Sequence, residues 1–481
     1  MKSNSGKKAL IFCLSVILLF CLASCGNSNE TAGNVASATE NKKLELQSEE
    51  NFDYYVDTDQ TIMIAGYHGK EISVTVPEKI DNKKVASLGS GAFYNRETRS
   101  SEVISVFIPN NITIISSGAF DYCSDLSRID VTPDHPKYSS IDGVLFEKES
   151  KTIIKYPCAK KGATYEIPQG VLCIGEKAFA NCKCTKILIP NTVTEIQKSA
   201  FDYASIRSLD IPEGVMRIEE NCFNYCSDLT SISLPNSLTY LGAGALFHTG
   251  IRAITIPNGI TVLNSHVFAL DFDLAKIELP DTLTEIGEES FDACTELGSL
   301  TIPGSVVTIE ANPFRDCNSL KLTVSPENQV FEVKDNVLFK KDEKKLISYL
   351  ESNRATSYSV PQGTTIIGGY AFWSCEDLTA IKLPDSLRII EDNAFWFCKN
   401  LASIELPGGL TEIGNNAFAY CEKLKSVIIP DSVETIGDKA FADVKAPDLV
   451  ITVGRDSYAE KYCKEKELKY NYPDSTAWLN N

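Results

Sequence analysis

The chain has 481 residues, with 46 Lys and Arg against 64 Asp and Glu and a formal net charge of −18. Three of the lysines fall in the first 24 residues, which hold no acid, so the remainder is more acidic still. That balance excludes a broad basic face, and with it nucleic acid or an anionic bilayer surface as the main partner.

Lys2, Lys7 and Lys8 precede an apolar run from Ala9 to Leu22, the layout of an export signal. The run is shorter than the ~20 residues of a membrane-spanning helix. It closes as Leu22-Ala23-Ser24-Cys25, small residues before a cysteine, which resembles a bacterial lipobox. Residues 1–24 are therefore read as a lipoprotein signal peptide. Cys25 is read as the lipidated residue that holds the chain on the extracytoplasmic side of the membrane, at the bacterial surface. Residues 25–50 carry few large apolar side chains and read as a disordered tether. Residues 51–90 read as an N-terminal β cap. Thr61-Ile62-Met63-Ile64 and Ile72-Ser73-Val74-Thr75-Val76 predict a hairpin covering the exposed edge of the repeats C-terminal to it.

From 91 to 446 the sequence repeats every 22–23 residues, with Ile/Leu-Pro at one position and Ala-Phe at another. Pro190, Pro212, Pro235, Pro257 and Pro280 mark one run of the beat, and the Phe column extends from Phe93 to Phe441 with Leu246 replacing one member. A period of this length means stacked coils rather than a globular core with one pocket. In one copy, Ile232 and Leu234 alternate with Ser231 and Ser233 as a short strand, Pro235 ends it, Leu238 and Leu241 turn inward, and Ala245-Leu246 fills the centre. Two longer steps, Pro109 to Pro168 and Pro303 to Pro361, are copies offset by 193 residues, each read as two strands joined by a charged turn, Glu147 to Lys151 or Lys340 to Lys345. Residues 447–481 read as a C-terminal cap, with a helix over Ser457 to Lys466 after a last strand. The predicted fold is a right-handed, β-rich leucine-rich repeat solenoid of about 13 coils, with short turns or helices on the convex side and two β-hairpin insertions.

Copies such as Leu410-Thr411-Glu412-Ile413-Gly414-Asn415-Asn416-Ala417-Phe418-Ala419-Tyr420-Cys421, together with the Asp142-Gly143-Val144-Leu145-Phe146 hairpin, resemble the BspA-like (Treponema pallidum-type) leucine-rich repeat family over roughly residues 60 to 470. The resemblance implies a cell-surface protein of the adhesive kind, recognising host matrix or microbial surface macromolecules; the alternative reading is a structural partner of another envelope protein, or a carbohydrate-binding accessory protein. It carries no ligand motif.

Eight cysteines share one repeat column three residues after the Phe position, among them Cys226, Cys294, Cys398 and Cys421. A column makes a line, whereas a metal needs ligands converging on a point, so these are read as buried core thiols. His68, His135, His248 and His266 are scattered, with no zinc-protease, nucleophile-elbow or P-loop pattern. No catalytic, metal or cofactor site is expected, and the chain is not read as an enzyme. The outward strand positions, Asp210, Ser233, Thr255, Glu278 and Thr301, form a face of small and acidic groups that could accept an extended protein partner. Trp373 and Trp396 follow Phe372 and Phe395 one coil apart, with Phe397 beside them. Elsewhere their column holds Asp121, Asp202, Asn224 and Asp292, which reads as tolerance of solvent and makes the aromatic group a candidate platform for protein or glycan, or else packing between coils. Oligomeric state is not encoded in any of these patterns.

Overall fold

The strands Ser208–Asp210 and Ser231–Ser233 show how one coil is made. In each, the outer residues are exposed and the middle one, Leu209 or Ile232, is buried, so each such strand sends one apolar side chain into the core. They pair in parallel, Ser208 opposite Ser231 and Asp210 opposite Ser233. Proline follows at Pro212 and Pro235. Each proline carbonyl accepts the N–H three residues on, from Val215 at 3.3 Å and Leu238 at 3.1 Å, and the chain turns back toward the core. The N–H that proline lacks falls where the strand has already ended. A second strand of two residues follows, Arg217–Ile218 or Tyr240–Leu241, also parallel to its neighbour. Threonines beside these second strands donate one coil back, as Thr239 Oγ1 does to the Met216 carbonyl at 3.1 Å and Thr411 Oγ1 to that of Arg388 at 3.0 Å.

The computed structural model describes residues 45–444 and 449–473. The signal peptide, Cys25 and the tether up to residue 44 lie outside the described residues, as do 445–448 and 474–481 of the C-terminal segment. Within the unit Leu46–Asn481 the two strand types stack into two series of parallel ladders, a repeat β-solenoid.

The path between the second strand and the next coil holds the Phe column, and it is made of turns rather than helices. Of the short turns or helices expected on the convex side, the turns are what is found: among the described residues the only α-helix is Tyr458–Glu465. The cause is local. The residues two before and two after the Phe are left-handed in most coils, as at Asn221 and Tyr225 around Phe223 and at Asn393 and Phe397 around Phe395, with φ between 53° and 65° at these four. Such residues break a right-handed run. The Phe N–H then points along the stack instead of back four residues: Phe201 donates to Cys222, Phe223 to Ala245 and Phe395 to Ala417, each at 2.8 Å. The rings follow the same direction. Phe179, Phe201 and Phe223 stack at 5.1 Å, and Phe372, Phe395 and Phe418 at 4.9 and 5.2 Å, all buried.

Each insertion has three strands, one more than the sequence suggested. Tyr138–Ile141, Val144–Glu147 and Thr152–Lys155 form an antiparallel meander, and the third strand then pairs in parallel with Cys173–Ile174, so the meander joins the ladder of second strands. Phe331–Lys334, Val337–Lys340 and Lys345–Tyr349 repeat this against Ile366–Ile367. The extra strand begins at a side chain that gathers backbone donors: His135 Nδ1 accepts from Lys137 and Tyr138, and Asn328 Oδ1 from Val330 and Phe331. Tyr156 and Tyr349 stand in for the missing Phe, stacking at 5.3 Å on Phe179 and 5.1 Å on Phe372. The middle strand is buried on both faces. Leu145 packs into the apolar cluster of the preceding coils, and Val144 and Phe146 into that of the following ones. Leu338 and its neighbours Val337 and Phe339 divide in the same way.

The two strand segments expected to pair as the N-terminal hairpin do not pair with each other. Ile62–Tyr67 forms an antiparallel meander with Gln47–Glu49 and Phe52–Val56, while Ser73–Thr75 pairs in parallel with Ser105–Ile108 and opens the ladder of first strands. At the other end, Val450–Val453 continues that ladder and Tyr470–Asn471 closes it. The helix Tyr458–Glu465 lies between them, with Ser457 accepting the Glu460 N–H at 3.1 Å.

Candidate binding surfaces

The outward positions of the first strands are exposed at Asp210, Ser233, Thr255, Glu278 and Thr301. They are joined in pairs across coils. Ser233 Oγ donates to Asp210 at 2.9 Å, Thr255 Oγ1 to Glu278 at 3.2 Å, and Thr301 shares a 2.8 Å bond with Thr323. Glu278 also holds Lys276 at 2.6 Å. The hydrogen-bonded ladder is interrupted between Ser231–Ser233 and Ala253–Thr255, and again before Ser299–Ile302. The face is thus a series of hydroxyl–carboxylate and hydroxyl–hydroxyl pairs on a preformed frame, not one uninterrupted strip.

The aromatic group is packed more deeply than its column suggested. Trp373 and Trp396 are half-buried, with ring centroids 3.8 Å apart. Phe397 is buried and meets Trp396 edge-on at 5.4 Å and Tyr420 at 5.0 Å. On its other side Trp373 receives the Arg315 guanidinium, 4.5 Å from the ring centre. Arg315 is buried and held by both oxygens of Asp292 at 2.9 Å and by Glu289 at 2.8 Å. Glu289 also meets His266 Nε2 at 3.1 Å.

The polar members of the Trp column therefore do not signal solvent. They find partners in neighbouring coils: Lys177, two residues before Phe179, reaches Asp121 at 2.9 Å, and Asn224 donates to Asp202 at 2.9 Å within the column itself. Burial raises the Asp202 carboxyl to about 6 against the Asn224 hydrogen bond, which favours its ionised form. Sequence reading placed Asp292 in this column but missed Arg315, because the second insertion separates Arg315 from Trp373 by 58 positions. Splicing that insertion out of the alignment places Asp292, Arg315, Trp373 and Trp396 in successive rows.

The column thiols are free and buried. Several donate to the carbonyl of a Phe one coil back, Cys226 to Phe201 at 3.0 Å, Cys294 to Phe268 at 3.2 Å and Cys398 to Phe372 at 3.0 Å. The histidines stay apart in role: His135 is a buried turn acceptor, and His248 packs 4.8 Å from the Tyr225 ring. Among the described residues no group of three or more His, Cys, Asp and Glu side chains is placed to hold a metal ion, and no helix is long and apolar enough to cross a membrane.

These geometries define a β-solenoid scaffold with exposed strand faces. The chain matches the BspA type leucine rich repeat region model at residues 73–162, 158–271, 267–355 and 347–463, and it belongs to that family. Membership places it among non-catalytic repeat scaffolds. It is similar to a leucine rich cell surface protein from Faecalibacterium prausnitzii, 23% identical over 92% of this chain and 98% of that one, with a TM-score of 0.39. A leucine-rich repeat protein from Bacteroides ovatus is 23% identical over 89% and 99%, with a TM-score of 0.43. The pneumococcal vaccine antigen PcpA is 18% identical over 90% and 99%, with a TM-score of 0.39. No curated protein matches the chain.

Proposed function

We propose that this chain is a lipid-anchored binding protein of the bacterial cell surface, tethered through Cys25. In this reading a right-handed solenoid of about 13 coils presents its first-strand face to host matrix or microbial surface proteins. The observation that carries the reading is the exposed series Asp210–Ser233 and Thr255–Glu278, whose side chains are already oriented by one another on a hydrogen-bonded frame. Such a face loses little conformational freedom when a partner docks. Its acidic and hydroxyl groups suit a cationic or hydrogen-bonding polypeptide better than nucleic acid.

Two measurements test it. Cys25→Ala should move the protein from the membrane fraction to the medium, and unchanged fractionation would remove the anchor. Asp210→Ala with Glu278→Ala should weaken adhesion of the soluble chain to matrix proteins or co-resident cells by about tenfold at unchanged melting temperature. Undiminished adhesion would exclude this face as the contact.

A further inference from the structure

A cleft of about 260 Å³ opens where the second inserted meander meets the coil after it, between the strands Phe331–Lys334 and Val337–Lys340 and the turn Pro361 to Thr364. Lys334, Lys340, Lys341 and Lys344 line it against one carboxylate, Glu332, on a chain whose net charge is −18. Phe339 and Pro361 add an apolar wall, and Gln362 an exposed amide.

The four ammonium groups differ in what already holds them. Lys341 Nζ donates to the Asn328 carbonyl at 3.0 Å, and its counterpart Lys148 makes the same bond to His135 at 2.6 Å, so this lysine serves the meander itself. Lys334 lies 2.8 Å from Glu332 and Lys340 2.5 Å from Glu343, both exposed pairs of the kind that a competing anion exchanges readily. Lys344 is exposed at the turn.

The first meander is an internal control. Its strands have the same register, Tyr138 opposite Glu147 where the second has Phe331 opposite Lys340. At the positions of Lys334 and Lys340 it carries Ile141 and Glu147, and Glu147 pairs with Lys137 at 3.2 Å. Lysines at 334 and 340 are thus not required to build the meander, and their presence converts one copy of the element into a basic pocket.

We propose that this cleft binds an acidic sugar, a single ring carrying a carboxylate or sulfate ester. The volume is below the roughly 300–1,000 Å³ of pockets for drug-sized ligands, which suits one ring of a longer chain. Mobile lysine ammoniums receive such multi-oxygen groups as point charges. The Phe339–Pro361 wall receives the C–H face of the ring, and the Gln362 amide its hydroxyls. The proposal rests on the reading of the chain as a surface-binding protein and gives one partner its chemistry, yet it concerns a different face from Asp210 and Glu278.

The test is titration of the purified protein with a sulfated disaccharide, a uronate disaccharide, a neutral disaccharide and inorganic sulfate, each at low and physiological salt. Both acidic disaccharides should bind, more weakly as salt rises, and the neutral one should not. Lys334→Ile with Lys340→Glu, which restores the residues of the first meander, should lower affinity by about tenfold or more at unchanged melting temperature. Lys344→Ala, at an exposed turn, should lower it severalfold and serves as the second variant. Absent binding of the acidic disaccharides overturns the proposal, as do variants that bind as tightly as the parent. Inorganic sulfate binding as tightly as the sulfated sugar, or the neutral disaccharide as tightly as the acidic ones, also overturns it. Cell adhesion dependent on Asp210 and Glu278 is read separately, so either result can fail without the other.

Discussion

The Arg315 guanidinium covers one side of the Trp373 ring at 4.5 Å, although a whole inserted meander separates the two residues in sequence. The contact carries one column of the stack past the insertion, from Asp292 through Arg315 and Trp373 to Trp396. It packs the Trp373 ring against the coils on either side. Trp373→Ala should lower stability by about 2–4 kcal/mol, since it removes a half-buried ring and uncovers a buried cation. Denaturant titration measures this, and an unchanged midpoint would return the pair to the status of a free platform.

Phe223 is buried and stacks on Phe201 at 5.1 Å, while Leu246 occupies the next coil's position. Phe223→Ala should destabilise by about 3–5 kcal/mol through the cavity it leaves. Leu246→Phe would restore the ring column and serves as the companion variant. A loss below about 1 kcal/mol for Phe223→Ala would mean that the column is not the spine of the core.

Burial raises the thiols of Cys294, Cys317, Cys375 and Cys398 well above the usual range, and that of Cys421 to about 12. Thiolate is the reactive form, so these residues should resist alkylation in the folded protein and react fully after denaturation. Mass spectrometry of the labelled chain counts them. Rapid native labelling of Cys398 would contradict the buried column.

Asp271 takes a cysteine's place in that column, buried completely, with Oδ1 accepting from the Thr249 N–H at 2.5 Å and from its hydroxyl at 3.0 Å, and with Oδ2 unpaired. Burial raises its carboxyl well above the usual range. The folded state then holds the proton more tightly than the unfolded one, so this group's stabilisation is complete below about pH 4 and is lost as pH rises toward the folded value. Asp271→Asn keeps the acceptor and removes the charge. Its melting temperature should exceed the parent's at about pH 7 and converge with it near pH 4. Parallel pH profiles would show that Asp271 does not titrate in this way.

The parts of the fold legible in the sequence are those where one residue type recurs because one physical demand recurs. Phe223 and Phe395 fill the same central space, and Pro212 and Pro235 end the same strand, so a period exposes both. Demands met by pairs were not legible. Asp202 and Asn224 looked like solvent-facing residues one at a time and are partners only across coils. The left-handed residues were hidden for another reason: Tyr225 and Phe397 occupy that conformation without the glycine that usually announces it. The third strand of each meander depended on His135 and Asn328 collecting backbone donors, a role that two different side chains share. For the binding surfaces, the exposed strand positions were readable from alternation alone. Their pairing, and the depth of Trp373, required the register between coils.

That register has a mechanical consequence. Backbone N–H groups such as those of Phe201, Phe223 and Phe395 bind the adjoining coil. A pull applied along the stack therefore loads these bonds in series, each carrying the full force, and a terminal coil, held by a neighbour on one side only, gives way first. Each coil of 22–23 residues that peels off releases on the order of 75 Å of extended chain. Under tension the stack would therefore lengthen stepwise, one coil at a time, rather than open all at once.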